Sequence, residues 1–258
     1  MLVLCIGSTA MAVGFVMRIV LAGSPESLGI YIFEDLFILL SPCFFLAANY
    51  MILSRLAVSL STPSAPVSST CLFLPATRIA KIFVWSDGIT FFIQASGGGL
   101  SASASMASTG QKISLFGLIL QLVSFALYTV LLLVFGFRVM QQYPQVWKLS
   151  TQGGRKDWRV LYFVVCLTCI GILIRSVFRI VEFSQGYHGY VPTHEAFFYC
   201  FDSVPLFLAI GLYAFVWPPA YTHQEQSGAL YAKATSSSYQ LTGPPYEQQS
   251  ASYAQSGV

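Results

Sequence analysis

Charged side chains are scarce in this sequence of 258 residues. Asp, Glu, Lys and Arg together make up 9% of the chain, whereas soluble proteins average about 25%. So few charges cannot cover a surface that faces water, and hydrophobic residues account for 55% of the sequence. The composition therefore excludes an ordinary soluble globular protein and predicts a membrane protein.

Histidine is also rare, and its positions exclude a metal centre within the membrane. A catalytic zinc ion needs about three protein ligands in one place. Two of the three histidines fall in one connection between apolar runs and the third lies near the C-terminus: His188, His194 and His223. We therefore expect no metal ion, and a zinc-dependent lipid hydrolase is not expected.

Cofactor signatures are missing as well. The chain contains no G-x-x-x-x-G-K-[ST] phosphate loop, so it is not expected to hydrolyse ATP itself. The last apolar run contains no lysine that could hold retinal as a Schiff base. We expect no cofactor, no catalytic residue and no enzymatic activity.

Six apolar runs are present, each long enough to cross a membrane as a helix, which takes about 20 residues. They cover residues 1–22, 32–54, 79–100, 113–138, 159–181 and 195–217. The third run is interrupted by Asp87, Thr90 and Gln94, so its polar side should face other helices. The sequence thus predicts an all-α, polytopic bundle of six transmembrane helices over residues 1–217.

Residues 218–258 differ in composition from the apolar runs. They are rich in Gln, Ser, Tyr and Gly. Such a segment cannot bury enough apolar surface to fold, so we predict a disordered tail.

Basic residues mark two connections between the runs and predict the orientation of the chain. Arg55, Arg78 and Lys81 flank the second connection. The fourth connection is marked by Arg138, Lys148, Arg155, Lys156 and Arg159. Because cytoplasmic loops carry the excess of Lys and Arg, both connections, both termini and the tail should be cytoplasmic. The net charge of +3 is spread over these connections instead of forming one patch, so nucleic acid is not an expected partner.

Ionisable side chains also occur within the apolar runs, where each costs about 2.5–3.5 kcal/mol to insert. Spacings of i, i+4 and i+7 place Arg175, Arg179 and Glu182 on one helix face. Two arginines one turn apart repel each other, so this face needs acids from other helices as well. We predict one polar chamber that binds substrate, lined by Arg18, Asp87, Gln94, Arg175, Arg179, Glu182, Glu195 and Asp202.

Alternative interpretations of these residues stay open. Buried pairs of arginine with an acid often only fix the register of packed helices, and Glu195 could cap the last helix. Three consecutive glycines, residues 97–99, permit either close approach of two helix backbones or local unwinding.

Two residue combinations carry a resemblance to a known family. One is D-x6-Q-x2-GGG, which begins at Asp87, and the other is IRS-x-FR-x2-EF-x2-G, which begins at residue 174. Further matching segments lie at 41–56, 117–128 and 194–206. Together they resemble the fungal RTA-like lipid-translocating exporter family, which includes proteins of resistance to aminocholesterol. The resemblance covers about residues 8–217.

Members of that family resemble seven-helix proteins with an outside N-terminus. The first family helix is therefore expected to be absent here, with residues 1–22 corresponding to the second. The family pattern E-x-x-G-Y-x-x-R corresponds to Met11, Gly14, Phe15 and Arg18. Because Met11 replaces the acid, Arg18 is expected to lack its usual partner.

The resemblance implies a multi-pass protein of the plasma membrane that moves lipids or lipid-like amphiphiles, among them sphingoid bases and sterol-like toxicants, or that confers resistance to membrane stress. Carboxylates in the chamber would pair with an amine, and arginines would hold a phosphate. The alternative is a seven-helix receptor-like sensor of lipid or membrane stress that signals through its cytoplasmic side. The expected partners are membrane lipids or amphiphilic small molecules; a homo-oligomer and a cytoplasmic partner of the tail stay open.

Overall fold

The computed structural model describes residues 2–23, 28–61, 67, 71–72, 75–101, 103, 105–144, 147, 157–185 and 199–221. All of these belong to one compact unit, Met1–Thr222. The predicted tail, residues 218–258, lies outside the described residues except for a short 3-10 turn at Pro218–Tyr221, so its disorder stays a prediction.

The described residues form helices and contain no strand. The six α-helices are α1 (Leu2–Gly23), α2 (Leu28–Leu60), α3 (Ala76–Ser101), α4 (Ala107–Gln142), α5 (Trp158–Gln185) and α6 (Val204–Phe215). A single π-helical turn, Tyr199–Ser203, directly precedes α6. The predicted all-α helix bundle is confirmed.

Four of these helices are long and apolar enough to cross a membrane. Their apolar spans are Leu2–Leu21, Ile32–Leu60, Ala107–Gln142 and Trp158–Gln185. Helix α3 has 26 residues, enough for about 39 Å of helix, but its interior polar residues make it less apolar. The last apolar helix, Cys200–Phe215, is shorter. Length and composition together define a multi-pass membrane protein.

The helices pack mainly in chain order. Each contacts the next one along the sequence, and α2 also contacts α4 and α5. The largest fully buried side chains come from α2 and α4, among them Tyr50, Tyr128, Phe125 and Phe135. Large apolar side chains such as Phe92, Phe163 and Phe207 are exposed on the outside of the bundle, where lipid would meet them. Helix α2 is therefore the helix around which the others are arranged.

Helices α3 and α4 are in close contact at Gly97. A Cβ atom at this position would lie 2.5 Å from Ser114 N and 2.7 Å from Gly110 O. Only glycine fits such a contact without displacing the neighbouring backbone. Helix α3 continues to Ser101, so of the two roles considered for the glycine run the close approach is the one observed at Gly97. A Cβ at Gly99 would meet no atom within 4 Å.

This contact predicts opposite effects of one substitution at two neighbouring positions. Gly97→Ala should lower the free energy of unfolding by about 1–3 kcal/mol, because the added methyl group overpacks the α3–α4 contact. Gly99→Ala should leave it unchanged or raise it by up to about 1 kcal/mol, because alanine favours the helix and has room there. Thermal unfolding of the purified variants in detergent measures both, and equal destabilisation would contradict the proposed contact.

Candidate functional site

A cluster of ion pairs joins α5 to the π-helical turn before α6. The side chain of Asp202 lies between two arginines that are one turn apart on α5. Arg175 Nη1 donates to Asp202 Oδ2, and Arg179 Nε donates to Asp202 Oδ1 at 2.6 Å. Glu182 Oε2 accepts a further hydrogen bond from Arg179 Nη1 at 3.2 Å. The expectation that the arginines need an acid from another helix is confirmed, and we name these four residues the Arg175 cluster.

The Arg175 cluster is shielded from its surroundings. Asp202 is only 1% exposed and Arg175 4%. Two guanidinium groups and two carboxylates balance one another within it, as buried charges require. The π-helical turn supplies the geometry, since it brings Asp202 to α5, while Pro205 stands in the first turn of α6, where a helix tolerates proline.

The cluster is also tied to α2 through a backbone carbonyl that a proline leaves free. Pro42 lies inside α2 and has no N–H, so the carbonyl of residue 38, four positions earlier, lacks its usual helical donor. Arg175 Nη2 donates to this Ile38 O at 3.5 Å. The same arginine thus connects α2, α5 and the turn before α6.

Asp87 of α3 is also buried but has a different environment. Its Oδ2 accepts a hydrogen bond of 2.7 Å from the hydroxyl of Tyr50 on α2. Its Oδ1 is buried and has no hydrogen-bond partner in the described part of the chain. Although Asp87 is 2% exposed, none of the ion pairs found among the described residues includes it. The carboxyl group therefore retains an open acceptor inside the bundle.

Gln94 faces α4 on the same side of α3. Its Nε2 donates to Gln121 Oε1 at 2.8 Å, and Ser114 Oγ donates to its backbone carbonyl at 3.2 Å. Gln121 in turn donates to Cys43 Sγ of α2 at 3.6 Å. These contacts make Gln94 part of a polar seam between α2, α3 and α4.

A hydrogen-bond network around Asn49 was not predicted. Asn49 Oδ1 accepts hydrogen bonds from Tyr213 OH and from Thr168 Oγ1 at 3.2 Å. The Asn49 backbone carbonyl accepts one from Tyr128 OH at 2.9 Å. The network joins α2, α4, α5 and α6. Its signal in the sequence is a single asparagine inside an apolar run, a polar group that lipid alone could not satisfy.

Arg18 lacks the acid of the family pattern, whose position Met11 occupies, but it has another acidic partner. Arg18 Nη1 lies 3.6 Å from Glu34 Oε1, so α2 supplies the acid that Met11 does not. Glu34 is buried, and the pair joins α1 to α2. The family pattern places its acid on the same helix as the arginine, whereas Glu34 lies on the next helix.

The eight predicted site residues are thus distributed over several contacts. Four of them form the Arg175 cluster, Asp87 and Gln94 face α2 and α4, and Arg18 pairs with Glu34. Glu195 lies outside the described residues. Asp87 makes no hydrogen bond to the arginines of the Arg175 cluster among the described contacts. The role of the eight predicted residues in binding substrate stays a prediction.

The fold and these clusters define a polytopic membrane protein whose helices are linked by buried polar contacts. A family model described as "RTA1 like protein" matches residues 4–225. The chain therefore belongs to the RTA1-like family, and the family resemblance predicted from its motifs is confirmed.

Three relatives illustrate this family relationship. Protein RTA1 of Saccharomyces cerevisiae is 32% identical over 206 residues, which cover 80% of this chain and 62% of that protein. Protoporphyrin uptake protein 1 of the same species is 33% identical over 200 residues, with 77% and 62% covered. The sphingoid long-chain base transporter RSB1 of Saccharomyces cerevisiae is 27% identical over 159 residues, with 50% and 42% covered.

The matched part of the chain spans less than two thirds of the length of these relatives. No solved structure matches the chain at a significant level.

The Arg175 cluster predicts a large effect of removing its central acid. Asp202→Asn should lower the free energy of unfolding by about 3–5 kcal/mol, because it leaves Arg175 and Arg179 buried without their shared carboxylate. Glu182→Gln should cost less than half as much, since Glu182 is more exposed and contacts only Arg179 of the two. Thermal unfolding of the detergent-purified variants measures both effects. A larger destabilisation by Glu182→Gln than by Asp202→Asn would contradict the prediction.

Proposed function

We propose that this chain translocates lipids or lipid-like amphiphiles, such as sphingoid bases and sterol-like toxicants, across the plasma membrane and thereby protects against membrane stress. Membership of the RTA1-like family supports this proposal. Two relatives carry names that describe uptake of protoporphyrin and transport of sphingoid long-chain bases. Both names describe the movement of a compound, and the proposed activity is likewise movement of the substrate without catalysis of a reaction.

The observation that carries the proposal is the open carboxylate oxygen of Asp87. A charged group inside a membrane is costly and is kept where it has a partner or a use. Asp87 Oδ1 is buried without a hydrogen-bond partner among the described residues. An ammonium or hydroxyl group of an amphiphile would supply the missing donor. Asp87 therefore acts as an acceptor for the polar headgroup during its passage.

The Arg175 cluster provides a second polar site that binds the headgroup along its path. Along α2, Ile38 at this cluster and Tyr50 beside Asp87 are separated by about 18 Å. In the proposed orientation, with the C-terminus in the cytoplasm, the cluster lies toward the outside and Asp87 nearer the middle. Glu182 receives an amine there, or Arg179 a phosphate. Glu34, the partner of Arg18, precedes Ile38 by about one turn of α2.

The hydrocarbon part of the substrate does not enter the polar interior. It follows the outer surface of the bundle, where Phe92 of α3 and Phe207 of α6 are exposed. The headgroup can then move between the Arg175 cluster and Asp87 while the hydrocarbon chain stays in lipid. The headgroup thus keeps polar partners and the chain keeps an apolar environment.

Flux measurements test the role of Asp87. The purified chain in liposomes should move a fluorescent sphingoid base across the bilayer. Asp87→Asn should lower the rate about tenfold or more, because the headgroup loses a charged hydrogen-bond acceptor. The matched control is Lys81→Gln, which removes an exposed charge from the same helix and should leave the rate unchanged.

Two outcomes would contradict the proposal. Absence of any protein-dependent flux for the unmodified chain would refute translocation itself. Normal flux of a correctly folded Asp87→Asn variant would instead leave translocation intact and refute the assigned role of Asp87. Thermal unfolding of the same preparations separates loss of flux from loss of folding.

A further inference from the structure

An apolar groove lies at the other end of α2 from the Arg175 cluster. Its volume is about 160 Å³. Its wall is formed by side chains of α1, α2 and the segment that follows α6, among them Leu2, Leu4, Met51, Ile52 and Pro218. A single charged side chain, Arg55, also lines the groove. The groove thus combines an apolar wall with one cation.

Arg55 differs from the arginines of the Arg175 cluster in having no partner among the residues that the structure describes. It is exposed, and it takes part in none of the ion pairs or side-chain hydrogen bonds found within the described ranges. Arg18, Arg175 and Arg179 all meet carboxylates. None of the described residues therefore occupies the guanidinium group of Arg55, which is exposed.

The position of Arg55 along α2 places it near a membrane boundary. From Ile38 at the Arg175 cluster to Arg55 the helix rises by about 26 Å, close to the thickness of the hydrocarbon core, which is about 30 Å. Arg78 and Lys81, in the first turns of the neighbouring helix α3, are exposed as well. Basic residues gather at this end of the bundle, as they do beside a leaflet that carries anionic lipids.

We propose that the groove binds one anionic glycerophospholipid of the adjacent leaflet. The lipid phosphate lies against Arg55, whose planar guanidinium group matches phosphate oxygens in a paired geometry. The first methylene groups of one acyl chain lie against Leu4, Met51 and Ile52. A pocket for a whole drug-sized ligand measures about 300–1,000 Å³. The smaller groove holds the part of a lipid next to its headgroup, while the rest of the chain stays in the bilayer.

This lipid is distinct from a transported substrate in the proposed function. Its site stands about 26 Å along α2 from the Arg175 cluster and contains none of the residues assigned there. Occupation of the groove joins the first turn of α1 to α2 and to the segment after α6, so bound lipid should stabilise the folded chain. Binding can therefore be measured without any transport assay.

Thermal unfolding in neutral detergent tests the site, with phosphatidylserine and phosphatidylcholine of identical acyl chains as probes. Phosphatidylserine should raise the Tm of the chain more than phosphatidylcholine does, because its headgroup keeps a net negative charge beside Arg55, whereas choline offsets the phosphate charge of phosphatidylcholine. Glycerophosphoserine without acyl chains should leave the Tm unchanged. Arg55→Gln should abolish the additional increase given by phosphatidylserine. Arg78→Gln is the matched control, since it removes an exposed cation at the same end but outside the groove, and it should retain the increase.

A second variant keeps the test decisive if Arg55→Gln does not fold. Met51→Trp fills the groove but keeps the cation, and it too should lose the additional increase. Equal effects of the two lipids on the Tm of the unmodified chain would overturn the proposal. It would also be overturned if a folded Arg55→Gln or Met51→Trp variant kept the additional increase given by phosphatidylserine. A full effect of glycerophosphoserine alone would also overturn it, because the ligand would then be a soluble phosphate ester.

Discussion

A polar group inside the membrane needs a partner within the protein, and α2 provides a partner for a polar group of every other described α-helix. The hydrogen bond of the Gln94 side chain and the ion pairs of Asp202 lie elsewhere. On α2, Glu34 pairs with Arg18, the Ile38 carbonyl accepts from Arg175, and Tyr50 donates to Asp87. Asn49 on the same helix receives hydrogen bonds from α4, α5 and α6. Because lipid offers no alternative partner, these contacts fix how the other helices stand around α2. The exposed faces can then remain apolar.

Two buried aspartates show how differently the same side chain can be used. Asp202 has both oxygens occupied by arginines, so its charge serves to hold α5 and the last helix together. Asp87 has a phenol on one oxygen and no partner among the described residues on the other. A neutralised acid is suited to structure, whereas an acid with a free acceptor is suited to binding a ligand that comes and goes. Asp202 therefore holds the Arg175 cluster together, whereas one oxygen of Asp87 has no partner among the described residues.

The helical architecture and the faces of individual helices follow from spacing within one stretch of sequence. The apolar runs predict the bundle, and the spacing of Arg175, Arg179 and Glu182 predicts that they share a face and need another acid. The pairing of Arg18 with Glu34 was missed, because a contact between helices depends on their relative register and rotation. The role of Asn49 was missed for a related reason: one polar residue in an apolar run does not indicate how many neighbours converge on it.

The bond between Arg175 and the Ile38 carbonyl has a consequence for how α2 tolerates change. The acceptor belongs to the main chain, so replacing the isoleucine side chain leaves it in place. Replacing Pro42 by any other residue would instead restore an amide donor four positions along. That amide would compete with the guanidinium group for the same oxygen, and the tie between α2 and α5 would loosen although no residue of the ion pairs had been altered. The proline is in this sense a remote determinant of the charged cluster.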